Sequence, residues 1–276
     1  MELNSYYNKP RLIYAYYILN EISEIQSYHM KILSNLINIF EHIDFYLLID
    51  DMSNLELINS NKTFILNSLQ RNDINFYVVQ NDNELREGKI YKEQIIDKLD
   101  HYNELIFFAH SKGITNILNT NNFNNTLLWI SIMYVFNLCY FDVIKDGFIN
   151  DDILTWGAIY NYDQNNTTKN HWQYTGSFGW INPQKLFKYI KDNKVDLSIY
   201  NIPNKQKFCA EEFFSNTFDP KYAGFLNHKK YNKYFSHFLY ENSNLPYNNI
   251  AWVGFELTDY DSYNYFYDYF NKYIIQ

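Results

Sequence analysis

Apolar and polar positions alternate between two recurring patterns over the first part of the chain. Strand-prone, mainly apolar segments occur at residues 11–19, 44–51, 74–79 and 105–109. The last of these is a continuous apolar run, which is typical of a strand buried on both faces. Between these segments, apolar residues recur every three to four positions, which predicts helices at residues 22–43, 55–69 and 87–102. This β-α-β-α-β-α-β order predicts an α/β fold with a mainly parallel sheet flanked by helices.

The pattern is less regular in the second half of the chain. It predicts a buried helix at 127–144, a strand at 153–162 and a helix at 209–218, with polar loops at 116–125 and 163–170. Pro183 marks the first turn of a further short helix. The aromatic-rich tail contains one more strand candidate, at 250–257. Because no linker or repeat separates these segments, we expect one domain, residues 1–220, with a C-terminal extension, 221–276, packed on it.

Composition excludes several classes of partner. The net charge of −8 and the absence of a basic block argue against nucleic acid. No apolar run approaches the roughly 18 residues of a membrane-spanning helix, and the first ten residues lack the pattern of a secretory signal. The two cysteines, Cys139 and Cys209, have no metal-ligand spacing and predict free thiols in a reducing cytoplasm. The 28 tyrosines suit sugar binding, because an apolar ring with a polar tip stacks on a pyranose face.

The run at 105–109 is followed by a cluster of side chains that could bind a ligand. His110, Ser111 and Lys112 supply two potential cations and a hydroxyl group, and Gly113 follows them. In an open α/β sheet, ligands bind outside the carboxyl ends of the strands. The pattern therefore predicts a central, parallel, buried strand whose polar end lines the main pocket; a polar turn without function is the alternative.

Five short motifs in a fixed order resemble those of one enzyme family. They are Ile13-Tyr14 through Asn20, Arg86-Glu87-Gly88, His110 through Gly113, Gly176-Ser177-Phe178-Gly179-Trp180, and Ala210-Glu211-Glu212-Phe213. Together they resemble nucleotide-sugar glycosyltransferases of the GT-A fold, and more closely the bacterial and giant-virus group with an HTKG or HSKG signature. The resemblance covers residues 11–218. The chain departs from that group at Gly179, where an aromatic residue is usual, which leaves the acceptor side open.

The resemblance implies a site for the nucleotide-diphosphate end of a sugar donor. Its residues would be Tyr14, Tyr17, Asp50, Asp51, Arg86, His110, Ser111 and Lys112. GT-A enzymes usually hold a divalent cation on an Asp-x-Asp motif, and His-Ser-Lys stands at that place here. At an effective dielectric constant of about 20, two unit charges about 4 Å apart attract by about 4 kcal/mol, so Lys112 is expected to replace the metal. We predict no cofactor, with Mn²⁺ or Mg²⁺ as the alternative.

Each donor-site residue also has a structural interpretation. The tyrosines would pack in the core, the aspartates would cap the next helix, and Arg86 would be an exposed charge at a helix start. Likewise, His110 would be a hydrogen-bonded structural imidazole and Lys112 a solvated side chain.

For the acceptor and donor sugar, the resemblance implies Trp172, Tyr174, Gly176 and Ser177. Glu211 or Glu212 would be the catalytic carboxylate, and helical geometry lets only one of these neighbours face the cleft. A packed aromatic loop and a solvated acidic helix start are the alternatives. Asp259 and Asp261 form a literal Asp-x-Asp in the extension, where a metal site is not expected.

The function predicted from these features is glycosyl transfer. A hexosyl- or related transferase would move a sugar from a nucleotide-diphosphate donor to a hydroxyl group of a glycan acceptor, in the biosynthesis of a surface polysaccharide or glycoconjugate. The alternative is a non-catalytic carbohydrate-binding protein on the same fold. The donor sugar, the base, the acceptor, the stereochemical outcome and the oligomeric state are left open.

Overall fold

The computed structural model describes residues 3–111, 126–127, 130–131, 133–158, 160–162, 172–174, 177–207 and 209–224. The strands are β1 (Arg11–Tyr17), β2 (His42–Ile49), β3 (Ile74–Gln80), β4 (Ile106–His110), β5 (Thr155–Gly157), β6 (Tyr160–Tyr162), β7 (Trp172–Tyr174), β8 (Gly179–Ile181) and β9 (Ala223–Gly224). The α-helices are α1 (Leu3–Asn8), α2 (Glu24–Leu36), α3 (Leu55–Leu69), α4 (Glu87–Gln94), α5 (Phe141–Asn150), α6 (Pro183–Asp192), α7 (Pro203–Lys207) and α8 (Cys209–Thr217).

Seven strands form a mixed, mainly parallel sheet in the order β3-β2-β1-β4-β8-β5-β9. Strands β1 to β4 are mutually parallel where they pair, β8 is antiparallel to both β4 and β5, and β9 is parallel to β5. The chain places β2 and β3 successively on one side of β1 and then returns to place β4 on its other side. The predicted α/β class and mainly parallel sheet are confirmed.

Strand β4 is central and fully buried, as its apolar run predicts. It is the fourth of the seven strands, and all five of its residues are buried. Only its β1 neighbour is parallel, however, because β8 returns beside it in the opposite direction. An apolar run reports burial on two faces, but it carries no information on the direction of each neighbour.

Helix starts follow local signals. At α2, Ser23 forms a capping box with Gln26, and at α3 the Asn54 side chain accepts from Leu57 N. At α6, Asn182 caps a helix that opens with Pro183. The predictions of helices at 55–69 and after Pro183 are confirmed.

Several predicted segments are subdivided in the structure. The helix predicted at 22–43 ends at Leu36 with a 3₁₀ turn at Ile37–Ile39, and that at 87–102 becomes α4 followed by a 3₁₀ helix at Ile96–His101. The helix predicted at 127–144 is helical where described, but it contains a π-helical turn at Val135–Cys139 before α5 begins.

The single strand predicted at 153–162 is divided between two sheets. Its first part is β5 of the main sheet, and its last part is β6, which pairs with β7 in a separate hairpin. A side chain could not be accommodated at the break: a Cβ atom on Gly157 would lie 2.2 Å from the ring of Tyr174. The chain therefore changes sheets where the Tyr174 ring packs against its backbone.

The two faces of the sheet bury separate apolar layers. On β1, Leu12 and Tyr14 belong to one layer, while Ile13 and Ala15 belong to the other, because successive side chains of a strand point to opposite faces. The first layer includes residues of α2, α3 and α5, and the second those of α4, α6 and α8. Many of the aromatic residues fill these layers, so the high aromatic content builds the core.

Candidate functional site

The carboxyl ends of β1 and β4 are joined directly at the point where the strand order reverses. Tyr17 N donates to Ser111 Oγ over 3.3 Å, and Ser111 N donates to Ala15 O over 3.0 Å. Ligands of open α/β sheets bind outside the strand ends at such a reversal. The first and third sequence motifs thus meet where the topology favours a ligand site.

Glu87 connects these two strand ends to the start of α4. Its Oε2 accepts from Tyr17 Oη over 3.0 Å, and its Oε1 lies 3.7 Å from His110 Nδ1, an ion-pair contact when the imidazole is protonated. Burial and the neighbouring Glu87 carboxylate both raise the pKa of Tyr17 above its usual value. His110 is itself buried. The carboxylate therefore holds Tyr17 and His110 together.

The fourth motif packs against the same histidine. The Phe178 ring lies 5.4 Å from the His110 ring, centroid to centroid, and it also contacts the rings of His29 and Tyr134. Ser177 precedes it with a φ of 57°, a left-handed conformation that is uncommon outside glycine. This turn leads into β8 and places the Phe178 ring against the His110 ring.

The fifth motif, on α8, is attached to the second motif. Gly88 packs so closely on the segment before α8 that a Cβ atom there would lie 2.2 Å from Gln206 O. Cys209 Sγ also donates to Gly88 O over 3.2 Å. Glycine is therefore required at position 88 for α4 and the end of α7 to approach each other.

The two acidic residues of α8 have different surroundings. Glu212 Oε2 lies 3.3 Å from Lys205 Nζ, and its side chain is 36% exposed. The side chain of Glu211 lies outside the described part of the structure. The prediction that only one glutamate faces the cleft stays open.

A small recess opens between the fourth and fifth motifs. Its lining includes Phe108, Tyr174, Ser177, Gly179, Ala210 and Phe214, with Tyr91 of α4 at its wall. Its enclosed space, about 10 Å³, is what a single water molecule needs. The recess lies beside the middle of β4, where Phe108 pairs with Gly179. His110 is not among the residues that line it.

Two of the tyrosines assigned to the site from sequence make core contacts. Tyr14 is fully buried, its ring stacks on Phe45 at 4.8 Å, and its hydroxyl group accepts from Tyr134. Tyr174 is also buried and donates to Thr155 O and Gly224 O. These contacts support the packing alternative for both rings, whereas Tyr17 combines burial with a polar contact at the site.

Three charged donor-site residues, Asp50, Asp51 and Arg86, are exposed. Asp51 Oδ1 accepts from Ser53 N and Ser53 Oγ, which lowers the pKa of Asp51. Asp50 Oδ1 accepts from Asn81 Nδ2 over 2.7 Å. Arg86 precedes α4 with a φ of 53°. Neither aspartate caps α3, because Asn54 does so. That Asp50 or Asp51 binds the nucleoside of the donor stays a prediction.

Several predicted site residues lie outside the described residues. These are Lys112, Gly176, Asp259 and Asp261; of Trp172 only the backbone, in β7, is described. In the part of the chain that is described, His, Cys, Asp and Glu side chains form no group of three or more that could hold a metal ion. The same residues include no helix long and apolar enough to cross a membrane.

Glu87 is the residue that the sequence analysis failed to single out. In the sequence it stands between Arg86 and Gly88 in the second motif, with no distinctive spacing of its own. A carboxylate in the first turn of a helix has an ordinary explanation, favourable interaction with the helix dipole. Its contacts with Tyr17 and His110 bridge about 70 and 23 positions of sequence and became evident only in three dimensions.

Comparisons with known proteins add no family assignment. No family model matches this chain, and no curated protein matches its sequence. The class that fold and site define is an α/β domain with a mainly parallel seven-stranded sheet and a buried polar cluster at the strand-order reversal.

Proposed function

We propose that this protein is a glycosyltransferase that moves a sugar from a nucleotide-diphosphate donor to a hydroxyl group of a glycan acceptor. One observation carries the proposal: described residues of the first four motifs that suggest this family meet at the carboxyl ends of β1 and β4, and the helix of the fifth motif packs against the second. A chance set of short matches has no reason to share one site. The GT-A assignment and a role in surface polysaccharide or glycoconjugate synthesis belong to the same proposal.

In this proposal, the donor diphosphate binds beside the end of β4. The Ser111 side chain is fixed there by Tyr17 N, and Lys112 follows directly in sequence. The lysine ammonium group would neutralise the departing diphosphate, and His110, held by Glu87, would support it. Positive charge placed before the reaction stabilises the developing negative charge without reorganisation.

The acceptor hydroxyl group would be deprotonated by a carboxylate of α8 if transfer inverts the anomeric configuration. Glu211 is the better candidate, because the Glu212 carboxylate contacts Lys205. We expect Glu211→Gln to lower turnover by a factor of about 100 to 10,000 while donor binding is retained. Glu212→Gln is the matched control, and equal mild effects of both substitutions would remove α8 as the source of the base.

The decisive experiment measures transfer of a labelled sugar from a panel of nucleotide-diphosphate sugars, with and without excess chelator. We expect transfer to persist in chelator, since a lysine carries its charge covalently and a His-Ser-Lys cluster has no carboxylate to recruit Mg²⁺ or Mn²⁺. Activity that disappears with chelator and returns with Mn²⁺ would contradict the metal-independent mechanism. Binding without any turnover would instead favour a carbohydrate-binding protein.

Lys112 variants test the same mechanism through binding. Lys112→Met should weaken binding of a nucleoside diphosphate and leave binding of the free nucleoside unchanged, and Lys112→Arg should rescue binding only partly. Lys188→Met, which removes an exposed lysine of α6, is the control. Equal loss of nucleoside and diphosphate binding would show that Lys112 does not act on the phosphates.

A further inference from the structure

One helix turns lysines and an aromatic ring away from the sheet. The buried residues of α6 pack in the second apolar layer, while Phe187, Lys188 and Lys191 are exposed. Lys191 is three positions after Lys188 and four after Phe187, so the three side chains neighbour one another on the outer side of the helix. Lys194, two positions after the helix ends, is exposed as well. We refer to these four residues as the basic face.

The chain concentrates positive charge in this region. Residues 183–207 contain six lysines and two aspartates, a net charge of +4. The other 251 residues contain 17 lysines and arginines and 29 acidic residues, a net charge of −12. In 0.15 M salt, the field of a charge decays over about 8 Å. A partner that contacts the basic face therefore responds mainly to its lysines, although the protein as a whole is acidic.

The lysines of the basic face are available to a partner. Lys188 Nζ lies 3.1 Å from Asp192 Oδ2, but both side chains are exposed, and ion pairs between exposed side chains contribute little. Lys191 and Lys194 have no ion-pair partner among the residues that the structure describes. A surface that carries several negative charges can therefore bind all three lysines at little cost.

Two exposed apolar side chains occur in the same segment. Phe187 is 39% exposed, and Ile202, just before α7, is 56% exposed. Ile199 and Tyr200 pack in the same apolar layer as α6, so Ile202 follows them on the outside of that layer. Single exposed apolar residues are common on protein surfaces, but these two lie where the chain concentrates its positive charge.

This combination of side chains fits a lipid surface. Helices that lie on membranes insert aromatic and aliphatic side chains at the boundary between headgroups and acyl chains, and they carry lysines on the polar side. Lysine stems can also cover apolar surface while their ammonium groups remain among the phosphates. Nucleic acid, the other abundant polyanion, is bound largely through arginine and stacked aromatic rings. Residues 183–207 contain no arginine, and Ile202 has no ring to stack.

We propose that the basic face, together with Ile202, docks the protein on an anionic membrane surface. The lysine ammonium groups contact lipid phosphates, and the two apolar side chains enter the headgroup boundary. Because the attraction is largely electrostatic, it weakens as salt is raised. This inference goes beyond the proposed function and does not depend on it.

The test measures co-sedimentation of the full chain with phosphatidylcholine vesicles that contain or lack phosphatidylglycerol. We expect binding to the anionic vesicles and little binding to the neutral ones. A lysine near an anionic membrane contributes about fivefold in affinity. The double variant Lys191→Gln/Lys194→Gln should therefore bind the anionic vesicles about 25-fold more weakly.

The matched control is Lys9→Gln/Lys31→Gln. It removes two exposed lysines outside residues 183–207 and changes the net charge by the same amount, so vesicle binding should be retained. Each double variant replaces exposed side chains, and unchanged melting temperatures would verify that both are folded.

Insertion of the apolar side chains is measured separately with brominated lipids, which quench a nearby indole. The indole introduced by Phe187→Trp should be quenched on the anionic vesicles. Leu55→Trp is the control, because Leu55 is also exposed but is followed by Glu56 at the start of α3. Its added emission should not be quenched. Ile202→Ser should weaken vesicle binding about threefold or more, since an exposed side chain can be replaced without loss of the fold.

Each result decides for or against the docking surface. Equal binding by the two double variants, equal binding to neutral and anionic vesicles, or equal quenching at positions 187 and 55 would overturn it. Binding of a single-stranded oligonucleotide that is lost in Lys191→Gln/Lys194→Gln, with no vesicle binding, would assign the face to nucleic acid instead. Sugar transfer is read in none of these measurements, so failure here leaves the proposed function standing, and failure of the proposed function leaves this inference standing.

Discussion

The two ends of the parallel strands both contain buried charge, but they use it differently. At the amino ends, Arg11 of β1 is 2.5 Å from Asp44 Oδ2 and 2.6 Å from Glu104 Oε1. These two contacts and the charge of the carboxylates raise the pKa of Arg11 against the opposing effect of burial. The cation and its two carboxylates satisfy one another, and Asn75 also donates to Asp44.

At the carboxyl ends, one carboxylate contacts groups that are neutral or titratable. Glu87 accepts from the Tyr17 hydroxyl group and approaches the His110 imidazole. Charge at the amino ends links three segments of the sheet to one another, whereas the carboxylate at the carboxyl ends orients Tyr17 and His110, which the proposed function places beside the donor.

The largest effect that this comparison predicts is on stability, at the amino ends. Arg11→Met would leave Asp44 and Glu104 facing each other without a cation in a mostly buried site. We expect a loss of about 3–5 kcal/mol in the free energy of unfolding, measured by urea denaturation, because breaking a buried pair strands the remaining charge.

The control for this prediction is Lys9→Met. It removes the nearby ion pair with Glu41, in which both side chains are about half exposed, so it should have no measurable effect. Similar stabilities of the Arg11 and Lys9 variants would contradict the structural role of the amino-end cluster.

The next effect is on ligand binding, at the carboxyl ends. Glu87→Gln retains the size of the side chain but removes the charge that holds His110. We expect binding of a nucleoside diphosphate to weaken about tenfold, or about 1.4 kcal/mol, with a smaller loss of stability than in Arg11→Met. Calorimetric titration with the nucleoside diphosphate at pH 6 and pH 8 measures the loss of binding. A variant that loses stability but binds normally would reduce Glu87 to a structural residue.

Alkaline pH provides a graded comparison of the two ends. The pKa of Tyr17 is raised by burial and by Glu87, so its stabilising contribution is complete below the unfolded value of about 10. That contribution is lost as pH rises from there toward the folded-state pKa, at up to about 1.4 kcal/mol per pH unit. Urea denaturation between pH 9.5 and 11 should therefore show a shallower decline in Tyr17→Phe than in the unmodified protein.

The Arg11 cluster should not contribute to this pH dependence. The pKa of Arg11 is raised, so the side chain stays charged throughout the range. Identical slopes for Tyr17→Phe and the unmodified protein would show that the Tyr17 hydroxyl group does not ionise on unfolding in this range, contrary to the burial of the group.

The smallest predicted effects come from removing one hydrogen bond at each end of the strands. Ser111→Ala removes the acceptor of Tyr17 N, and Asn75→Ala removes the donor to Asp44 Oδ1. Each should lower the free energy of unfolding by about 1 kcal/mol or less. Only Ser111→Ala should also weaken nucleoside-diphosphate binding. If both variants bind equally well, the two ends of the strands do not differ in function as proposed.

Much of the first half of the fold could be predicted from sequence, because its signals are local. Helix α3 has the predicted bounds, since Asn54 caps one end and apolar periodicity persists to Leu69. Burial of β4 follows equally directly from an unbroken apolar run. The site was located only in outline: His110 and Ser111 stand at the predicted strand end, whereas Glu87 was overlooked and Tyr14 makes core contacts.

The sequence by itself determined the order of the strands β1 to β4 and of the main helices between them, together with the burial of β4, because spacing and capping are properties of adjacent residues. Only the tertiary structure decided that β8 runs antiparallel beside β4 and that the 153–162 segment divides between two sheets. It also decided that Gly88 provides room for the backbone before α8. These features depend on partners tens of residues away, whose approach is set by packing and by the space that each side chain leaves, and no local pattern encodes them.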